Sequence, residues 1–149
     1  MKSAPGLAMS QAIGIGKGTV VLEDFEKADA IVASDYKTPI TWHCHMENHS
    51  AYAYMDDMEH IVVVSSTQIP HICRRIVGEA LDIPWGRVRV VKPYIGGGFG
   101  NKQDVILEPM VAFLTMKLGG VPVKLELPRE ECFLGTRTRH STRIRNRAG

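Results

Sequence analysis

The sequence predicts an α/β (α+β) domain in which helices pack on a mixed sheet. Aliphatic runs typical of strands alternate along the chain with two stretches whose apolar residues recur at helical spacing. The order is strand, helix, strand, glycine-rich loop, helix, strand. The 149 residues, 44% hydrophobic and 23% charged, suit one globular domain or part of one and exclude a wholly disordered chain.

Three strands are expected in the first half of the chain. The first, Ala30 to Tyr36, alternates loosely between apolar and polar residues. The next two, Ala51 to Tyr54 and Glu59 to Val64, flank a turn at Asp56-Asp57. This arrangement predicts a β-hairpin.

An amphipathic helix is predicted to follow the hairpin. Thr67 is a candidate N-cap, and Pro70 suits the first helical turn. The helical pattern ends near Ile83-Pro84. Its apolar residues recur at spacings of three and four: Ile69, Ile72, Cys73, Ile76, Val77, Ala80 and Leu81.

A second helix and two more strands are expected in the second half. Val88 to Val91 and Val121 to Leu127 have the aliphatic residues typical of strands. Between them, Asp104 is a candidate N-cap, and Pro109 either kinks the helix or begins it. Gly119-Gly120 is expected to end this helix.

Composition indicates a cytoplasmic protein without a membrane partner. The longest aliphatic run, Ile61 to Val64, is far shorter than the roughly 20 residues of a membrane span. The chain starts without the apolar segment of a signal peptide. The three cysteines, Cys44, Cys73 and Cys132, lack the spacing of a metal site or a disulfide framework, so we expect reduced thiols.

The basic charge is concentrated at the end of the sequence. From Arg129 to Gly149 there are six arginines and two glutamates, although the whole chain carries only +2. Such a tail could contact phosphates, but it lacks the interleaved aromatic residues on which single-stranded bases stack. Nucleic acid is therefore not the expected partner. A non-catalytic module that binds nucleic acid or an acidic partner through this tail is kept as the alternative function.

The strongest local signal is the glycine-rich segment from Gly96 to Lys102. Its glycines let main-chain N–H groups approach a ligand without an intervening Cβ atom. A Walker-type phosphate loop and a dinucleotide fingerprint are both excluded because Asn101 stands where each needs glycine. Two interpretations stay open here, a ligand-binding loop and a tight turn with Phe99 in the core.

Three histidines cluster around one glutamate: His43, His45, Glu47 and His49. The last two histidines have zincin spacing, but the glutamate is one place away from either zincin pattern. A small metallohydrolase is one interpretation. The other is that the histidines are partly buried or surface residues of a loop, with Glu47 as a buried hydrogen-bond acceptor. Gln68, where a strand passes into a helix, could present both a donor and an acceptor.

Together these segments resemble the molybdenum-cofactor-binding subunit of the xanthine dehydrogenase and aldehyde oxidase family, and particularly bacterial xanthine dehydrogenases. The resemblance extends over about residues 20–140, with the segments in family order. The segments are His45-Met46-Glu47, Ser65 to Pro70, Gly96 to Lys102, Gly119 to Lys124 leading to Arg129-Glu130-Glu131, and Thr138-Arg139-His140.

The resemblance implies a role for each matching residue. The implied cofactor contacts are Gln68, Gly97, Gly98, Phe99 and Gly100. The amide of Gln68 and the main chain of Phe99 would lie beside the metal. Gln103 stands where xanthine-oxidising members often carry a substrate-binding glutamate, so purine use is weakened, although the neutral amide can still hydrogen-bond. None of the glutamates is assigned as the catalytic base.

The activity implied by the resemblance is hydroxylation of a purine, another heterocycle or an aldehyde carbon with oxygen from water. It implies a molybdopterin-type molybdenum cofactor in this subunit, with iron–sulfur clusters and FAD on partner subunits. Family subunits are several times longer than this chain. We therefore expect a truncated or frame-shifted fragment with an incomplete site and no turnover of its own.

The resemblance also divides the chain into three segments. Residues 1–40 are expected to be linker-like and to follow an absent hammerhead domain, with a flexible arm at 1–18 and a helical turn from Asp24 to Asp29. Residues 41–140 are expected to form the first part of a molybdopterin-cofactor-binding domain. Residues 141–149 are expected to be a basic tail outside the family pattern. Because a partial domain leaves apolar faces uncovered, we expect poor solubility or dependence on a partner chain.

Overall fold

The computed structural model describes residues 27–148 and confirms a mixed α/β fold. Its strands are β1 (Val32–Thr38), β2 (Ser50–Met55), β3 (Ile61–Ser65), β4 (Val88–Val91), β5 (Val123–Glu126) and β6 (Thr142–Ala148). Its helices are α1 (Pro70–Leu81), α2 (Glu108–Lys117) and α3 (Arg129–Gly135), with short 3-10 turns at Trp85–Arg87 and Asn101–Gln103. The expected arm at 1–18 lies outside the described residues. The helical turn expected at 24–29 falls partly outside them, and residues 27–29 form a turn and bend.

The chain divides into two units, with breaks at residues 40 and 140. One unit is Ile40–His140, and the other combines Met1–Pro39 with Ser141–Gly149. In the second unit β1 and β6 pair antiparallel, from Val32 opposite Ala148 to Thr38 opposite Thr142. The assignment of these segments to a linker, a partial domain and a tail stays a prediction.

Strand β6 is exposed along its whole length, and two of its arginines, Arg143 and Arg145, pair with Asp35 of the same unit. Arg143 Nη2 lies 2.5 Å from Asp35 Oδ2, and Arg145 Nε lies 3.6 Å from the same oxygen. The hydrogen bond from Arg143 holds the pKa of the Asp35 carboxyl below its usual value. These pairs offset part of the positive charge that a nucleic-acid partner would need.

Unit Ile40–His140 is built on a four-stranded sheet in the order β4-β3-β2-β5. The predicted hairpin is confirmed, because β2 and β3 pair antiparallel with Ala51 opposite Ser65 and Met55 opposite Ile61. Strand β5 pairs antiparallel with the other side of β2. Strands β3 and β4 are parallel, with α1 in the connection between them, so the sheet is mixed as predicted.

The core lies between this sheet and helices α1 and α2. Its buried apolar residues are Ala51, Ala53, Ile61, Val63, Cys73, Val77, Val88, Leu107, Val111 and Ala112. All three cysteines are free, as expected from their spacing. Burial raises the pKa of the Cys73 thiol, with a smaller contribution from the Glu108 carboxylate. Cys73 is therefore an apolar packing residue rather than a reactive thiol.

Both predicted N-caps are wrong, although both helices are present. Helix α1 begins at Pro70 with Ile69 at the cap, and the Thr67 hydroxyl instead accepts the N–H of Ile69 at 3.1 Å. Helix α2 begins at Glu108, so Pro109 lies in its first turn. Of the two expected alternatives, Pro109 therefore begins the helix and does not kink it. Asp104 precedes α2 by four residues and pairs with Arg137.

The exposed apolar side chains of unit Ile40–His140 lead to a prediction about its behaviour in solution. Tyr94 is fully exposed, Met46 is 91% exposed and Leu134 is 88% exposed. Strands β4 and β5 are also the edges of the sheet, and unpaired sheet edges together with exposed apolar side chains favour association with other chains. We expect the purified chain to elute above its monomer mass of 16.5 kDa in size-exclusion chromatography with light scattering. A monodisperse monomer that melts cooperatively would contradict this expectation.

No helix within residues 27–148 combines the length and apolar character that crossing a bilayer requires.

Candidate functional site

Gln68 and the glycine loop, defined here as residues 96–102, meet because their strands are parallel neighbours. Gln68 comes three residues after β3, and the glycine loop begins five residues after β4. The carboxyl ends of parallel strands lie at the same edge of a sheet, where ligands of open α/β sheets commonly bind. The loop and the amide are thus brought to one end of unit Ile40–His140.

The side chain of Gln68 is fixed by the glycine loop. Its Oε1 accepts the N–H of Gly100 at 3.1 Å and the N–H of Lys102 at 3.2 Å. The main-chain N–H of Gln68 donates to the carbonyl of Lys102 at 2.8 Å. Two bonds satisfy the acceptor capacity of Oε1, so the orientation of the amide is determined. Among the described residues, its Nε2 has no hydrogen-bond partner.

Close packing explains glycine at position 98. A Cβ atom there would lie 2.5 Å from Cδ of Gln68 and 2.6 Å from Oε1. The loop also turns through positive φ at Gly97 (95°), Phe99 (51°) and Gly100 (85°). The interpretation of Phe99 as a core residue is wrong, since its side chain is 67% exposed. Phe99 therefore lies at the accessible part of the loop.

One ion pair ties the glycine loop to the segment before β2. Lys102 Nζ lies 2.6 Å from Oε2 of Glu47, and the Lys102 side chain is only 1% exposed. The same Oε2 accepts the N–H of Gly96 at 3.2 Å. Glu47 is a hydrogen-bond acceptor as expected, but the expectation that it is buried is wrong, since its side chain is 33% exposed. The buried position of Lys102 was not predicted, because a lysine after a glycine run has no sequence signal that separates a buried ammonium from a solvated one.

Two of the three histidines, His45 and His49, belong to a hydrogen-bonded cluster centred on Asn101, whereas Nδ1 of His43 has no hydrogen-bond partner among the described residues. His45 Nε2 lies 3.2 Å from Asn101 Nδ2, and its Nδ1 lies 2.5 Å from the carbonyl of Glu47. His49 Nε2 lies 3.4 Å from the Asn101 carbonyl. Both ring nitrogens of His45 are thus used within the protein. No group of three metal-ligating side chains occurs in residues 27–148, so the metallohydrolase interpretation is not supported.

This cluster predicts a loss of stability in acid. Burial lowers the pKa of both His45 and His49 from the ordinary value of 6.5. Below that pH the unfolded chain takes up protons that the folded chain does not, so the free energy of unfolding decreases as pH falls. Urea unfolding followed by tryptophan fluorescence should give lower stability at pH 5 than at pH 7.5. In the double variant His45→Gln/His49→Gln, the free energy of unfolding should differ less between pH 5 and pH 7.5. An unchanged difference would contradict the assignment of the acid sensitivity to these two histidines.

The remaining predicted site residue, Gln103, is exposed and ends the 3-10 turn Asn101–Gln103, whose first two residues belong to the glycine loop. A shallow cleft next to the loop is lined by Thr41, Trp42, His43, Phe99 and Arg139. The structure therefore brings Gln68, Gly97, Gly98, Phe99 and Gly100 together and leaves Gln103 on the accessible side of the following turn. Their roles toward a cofactor or substrate stay predictions.

Comparison with known families gives a match over almost the whole chain. The model of the molybdopterin cofactor-binding domain matches residues 7–149. The match extends over residues of both units and includes every candidate site residue.

Curated relatives support the same assignment. The chain is 60% identical over 129 residues to the putative xanthine dehydrogenase molybdenum-binding subunit XdhA of Escherichia coli (strain K12), covering 87% of this chain and 17% of that protein. It is 33% identical over 125 residues to the nicotinate dehydrogenase large molybdopterin subunit of Eubacterium barkeri, covering 84% of this chain and 29% of that protein. The chain thus spans about one sixth of the length of the first relative.

Solved structures agree with the fold. The aldehyde oxidoreductase of Desulfovibrio gigas superposes with a TM-score of 0.75 at 24% identity, covering 88% of this chain and 14% of that chain. Quinoline 2-oxidoreductase from Pseudomonas putida 86 gives a TM-score of 0.68 at 28% identity, covering 82% of this chain and 16% of that chain. The chain therefore belongs to the molybdopterin cofactor-binding domain family of the molybdenum hydroxylases related to xanthine dehydrogenase and aldehyde oxidoreductase.

Proposed function

We propose that this chain forms part of the molybdenum-cofactor site of a hydroxylase that oxidises a purine, another heterocycle or an aldehyde carbon. One observation carries the proposal. The amide of Gln68 contacts the two residues that flank Phe99, since it packs on Gly98 and accepts the N–H of Gly100. The amide and the main chain of Phe99 are therefore neighbours, as a shared contact with one group requires.

The residues fit a group that is rich in hydrogen-bond acceptors. Because Oε1 of Gln68 is occupied by two loop N–H groups, only Nε2 is left to meet a ligand, and it can only donate. Gly97 and Gly98 present main chain without Cβ atoms. When bound, the molybdopterin-type cofactor supplies the two-electron redox chemistry of hydroxylation. This chain supplies orientation and hydrogen bonding at that group.

Gln103 is proposed as a substrate contact. Its amide lies in an exposed position at the end of the 3-10 turn and can both donate to and accept from a heterocycle. It carries no charge, so it cannot form the ionic hydrogen bond that a carboxylate would offer a purine N–H. The names of the relatives, which include xanthine and nicotinate dehydrogenases, are consistent with a nitrogen heterocycle.

The complete enzyme is proposed to be a cytoplasmic oxidoreductase in which partner subunits hold iron–sulfur clusters and FAD. The chain described here covers 17% of the length of the XdhA relative. The base-bearing part of the site is expected in the rest of such a subunit. By itself this chain is proposed to hold the cofactor incompletely and to have no turnover.

A chimera tests the proposal in a complete site. The segment of the Escherichia coli subunit that matches this chain is replaced by the corresponding residues of this chain, and molybdenum per subunit is measured after purification. Gln68→Leu removes the amide, whereas Gln68→Glu keeps an acceptor for the two loop N–H groups but has no Nε2 donor. Both variants are expected to lose most of their molybdenum.

Glu79→Gln is the matched control, because Glu79 is an exposed residue of α1 that forms an ion pair with Arg75. It should retain molybdenum at the level of the unsubstituted chimera. Full molybdenum content in Gln68→Leu would contradict the proposed contact. Loss in Gln68→Leu with retention in Gln68→Glu would show that the amide acts only by bracing the loop.

A further inference from the structure

We propose that Glu47 is a positioning residue that sets the shape of the glycine loop by holding both of its ends. This inference rests on the proposed function, because the loop it shapes is the one proposed to contact the cofactor. At the start of the loop, the N–H of Glu47 donates to the carbonyl of Gly96 at 3.1 Å, and the N–H of Gly96 donates to Glu47 Oε2 at 3.2 Å. At the end of the loop, Lys102 Nζ donates to that same Oε2 at 2.6 Å.

The close approach at Gly96 supports a specific fit. A Cβ atom at this position would lie 2.7 Å from Cβ of Glu47 and 3.2 Å from its main-chain nitrogen. Glycine at 96 is therefore explained by the contact with Glu47 rather than by an unusual φ. The loop and the segment before β2 lie main chain against main chain.

The burial of Lys102 makes its position depend on the carboxylate of Glu47. Its side chain is 1% exposed, whereas that of Glu47 is 33% exposed. A buried ammonium without a carboxylate is strongly unfavourable, so Lys102 keeps its place only while Glu47 reaches it. The main chain of Lys102 is bonded to Gln68 in both directions, through its N–H and its carbonyl. Glu47 therefore influences the position of the Gln68 amide through Lys102.

The conformation of the loop shows why such a support is needed. Phe99 has φ of 51°, a region that non-glycine residues adopt at a cost and keep only when their surroundings hold them there. Between Gly96 and Lys102 the loop is also held by Gln68 and by a Gly98-to-Asn101 turn bond. Asn101 itself is bonded to His45, His49 and Thr136. Because Glu47 also holds both ends of the loop, it helps to keep the main chain of Phe99 at this positive φ.

Hydrogen exchange on the full 149-residue chain tests the inference. In Glu47→Gln, which removes the charge, and in Lys102→Met, which keeps the stem but removes the ammonium, amides of residues 96–102 should exchange at least about tenfold faster. Amides of β2 and β3 should change little. Because the two residues act as one support, loop amides of the double variant should exchange no faster than those of the single variant with the faster exchange.

The control is Thr115→Val, which removes a buried hydroxyl bonded to the Ala53 carbonyl at 3.0 Å, away from the loop. It should raise exchange in β2 without a selective effect on the loop. Loop exchange within about twofold of the unsubstituted chain in both Glu47→Gln and Lys102→Met, or an equal rise in every element, would overturn the inference.

Molybdenum content of the chimera connects the loop to the cofactor. Glu47→Gln is expected to lower molybdenum per subunit together with loop protection. If the loop loosens but molybdenum is retained, the positioning role is overturned, and Gln68→Leu then decides separately whether the proposed function also fails. If the loop stays protected in the Glu47 and Lys102 variants while Gln68→Leu loses molybdenum, the inference fails and the proposed function stands.

Discussion

Replacing Gly98 with alanine is expected to displace the Gln68 amide and to destabilise the chain by about 1–3 kcal/mol, the usual cost of forcing an extra methyl into a packed site. The added Cβ would lie 2.5 Å from Cδ of Gln68, well inside van der Waals contact. The side chain of Gln68 must then move, and its bonds to the N–H groups of Gly100 and Lys102 are lost. Molybdenum in the chimera should fall as far as in Gln68→Leu.

Gly86→Ala is the matched control for this change. A Cβ atom at Gly86 would meet no atom within 4 Å, and Gly86 lies in the turn before β4. Urea unfolding at low protein concentration measures the stability of both variants, and metal analysis of the chimeras measures the site. Equal behaviour of Gly98→Ala and Gly86→Ala would contradict the tight contact between Gly98 and Gln68.

Glu108→Leu should have the larger effect on stability, about 3 kcal/mol or more, because each buried donor left without a partner costs roughly 1–3 kcal/mol. Glu108 is 5% exposed at the start of α2. Its Oε1 accepts the hydroxyl of Ser65 at 2.6 Å. Its Oε2 accepts the N–H of Ile106 at 3.0 Å and that of Leu107 at 3.1 Å. A leucine satisfies none of these three donors.

Ser65→Ala provides the comparison, since it removes one of the three bonds and leaves the two N–H groups bonded. Its loss of stability should be about 1–2 kcal/mol, well below that of Glu108→Leu. The midpoints of urea unfolding show which of the two variants is less stable. Equal losses would show that the main-chain N–H groups bonded to Glu108 contribute little to stability, which would contradict this prediction.

Local patterns were sufficient to predict most of the secondary structure. The β2–β3 hairpin follows from two apolar runs separated by a short polar turn, and its pairing needs no distant residue. Helix α1 follows from apolar residues at helical spacing and from Pro70 in its first turn. The mixed sheet was expected because strands and helices alternate, whereas the order β4-β3-β2-β5 was not.

The helix caps failed for a local reason. Threonine and aspartate favour N-caps because their side chains bond nearby N–H groups, but the same chemistry also stabilises turns. The Thr67 hydroxyl bonds the N–H two residues ahead and so closes a turn before α1. Asp104 pairs with Arg137, which is 33 residues away and beyond any local pattern.

The candidate site was predicted only in part. Gln68 and the glycine loop were placed together by a resemblance and not by spacing, and the structure supplies the physical reason in two parallel strands. The Glu47–Lys102 pair joins residues 55 positions apart, so no sequence periodicity could reveal it. Phe99 has the apolar side chain typical of a core residue, but it lies in a segment of positive φ and is 67% exposed.

The left-handed main chain at Phe99 limits how the tip of the glycine loop can be varied. Side chains branched at Cβ are disfavoured in this region, whereas glycine, asparagine and aspartate are tolerated. A library at residue 99 that contains valine, isoleucine or threonine would therefore mostly sample altered main chains. One restricted to unbranched residues and asparagine would change the chemistry of the tip while keeping its path.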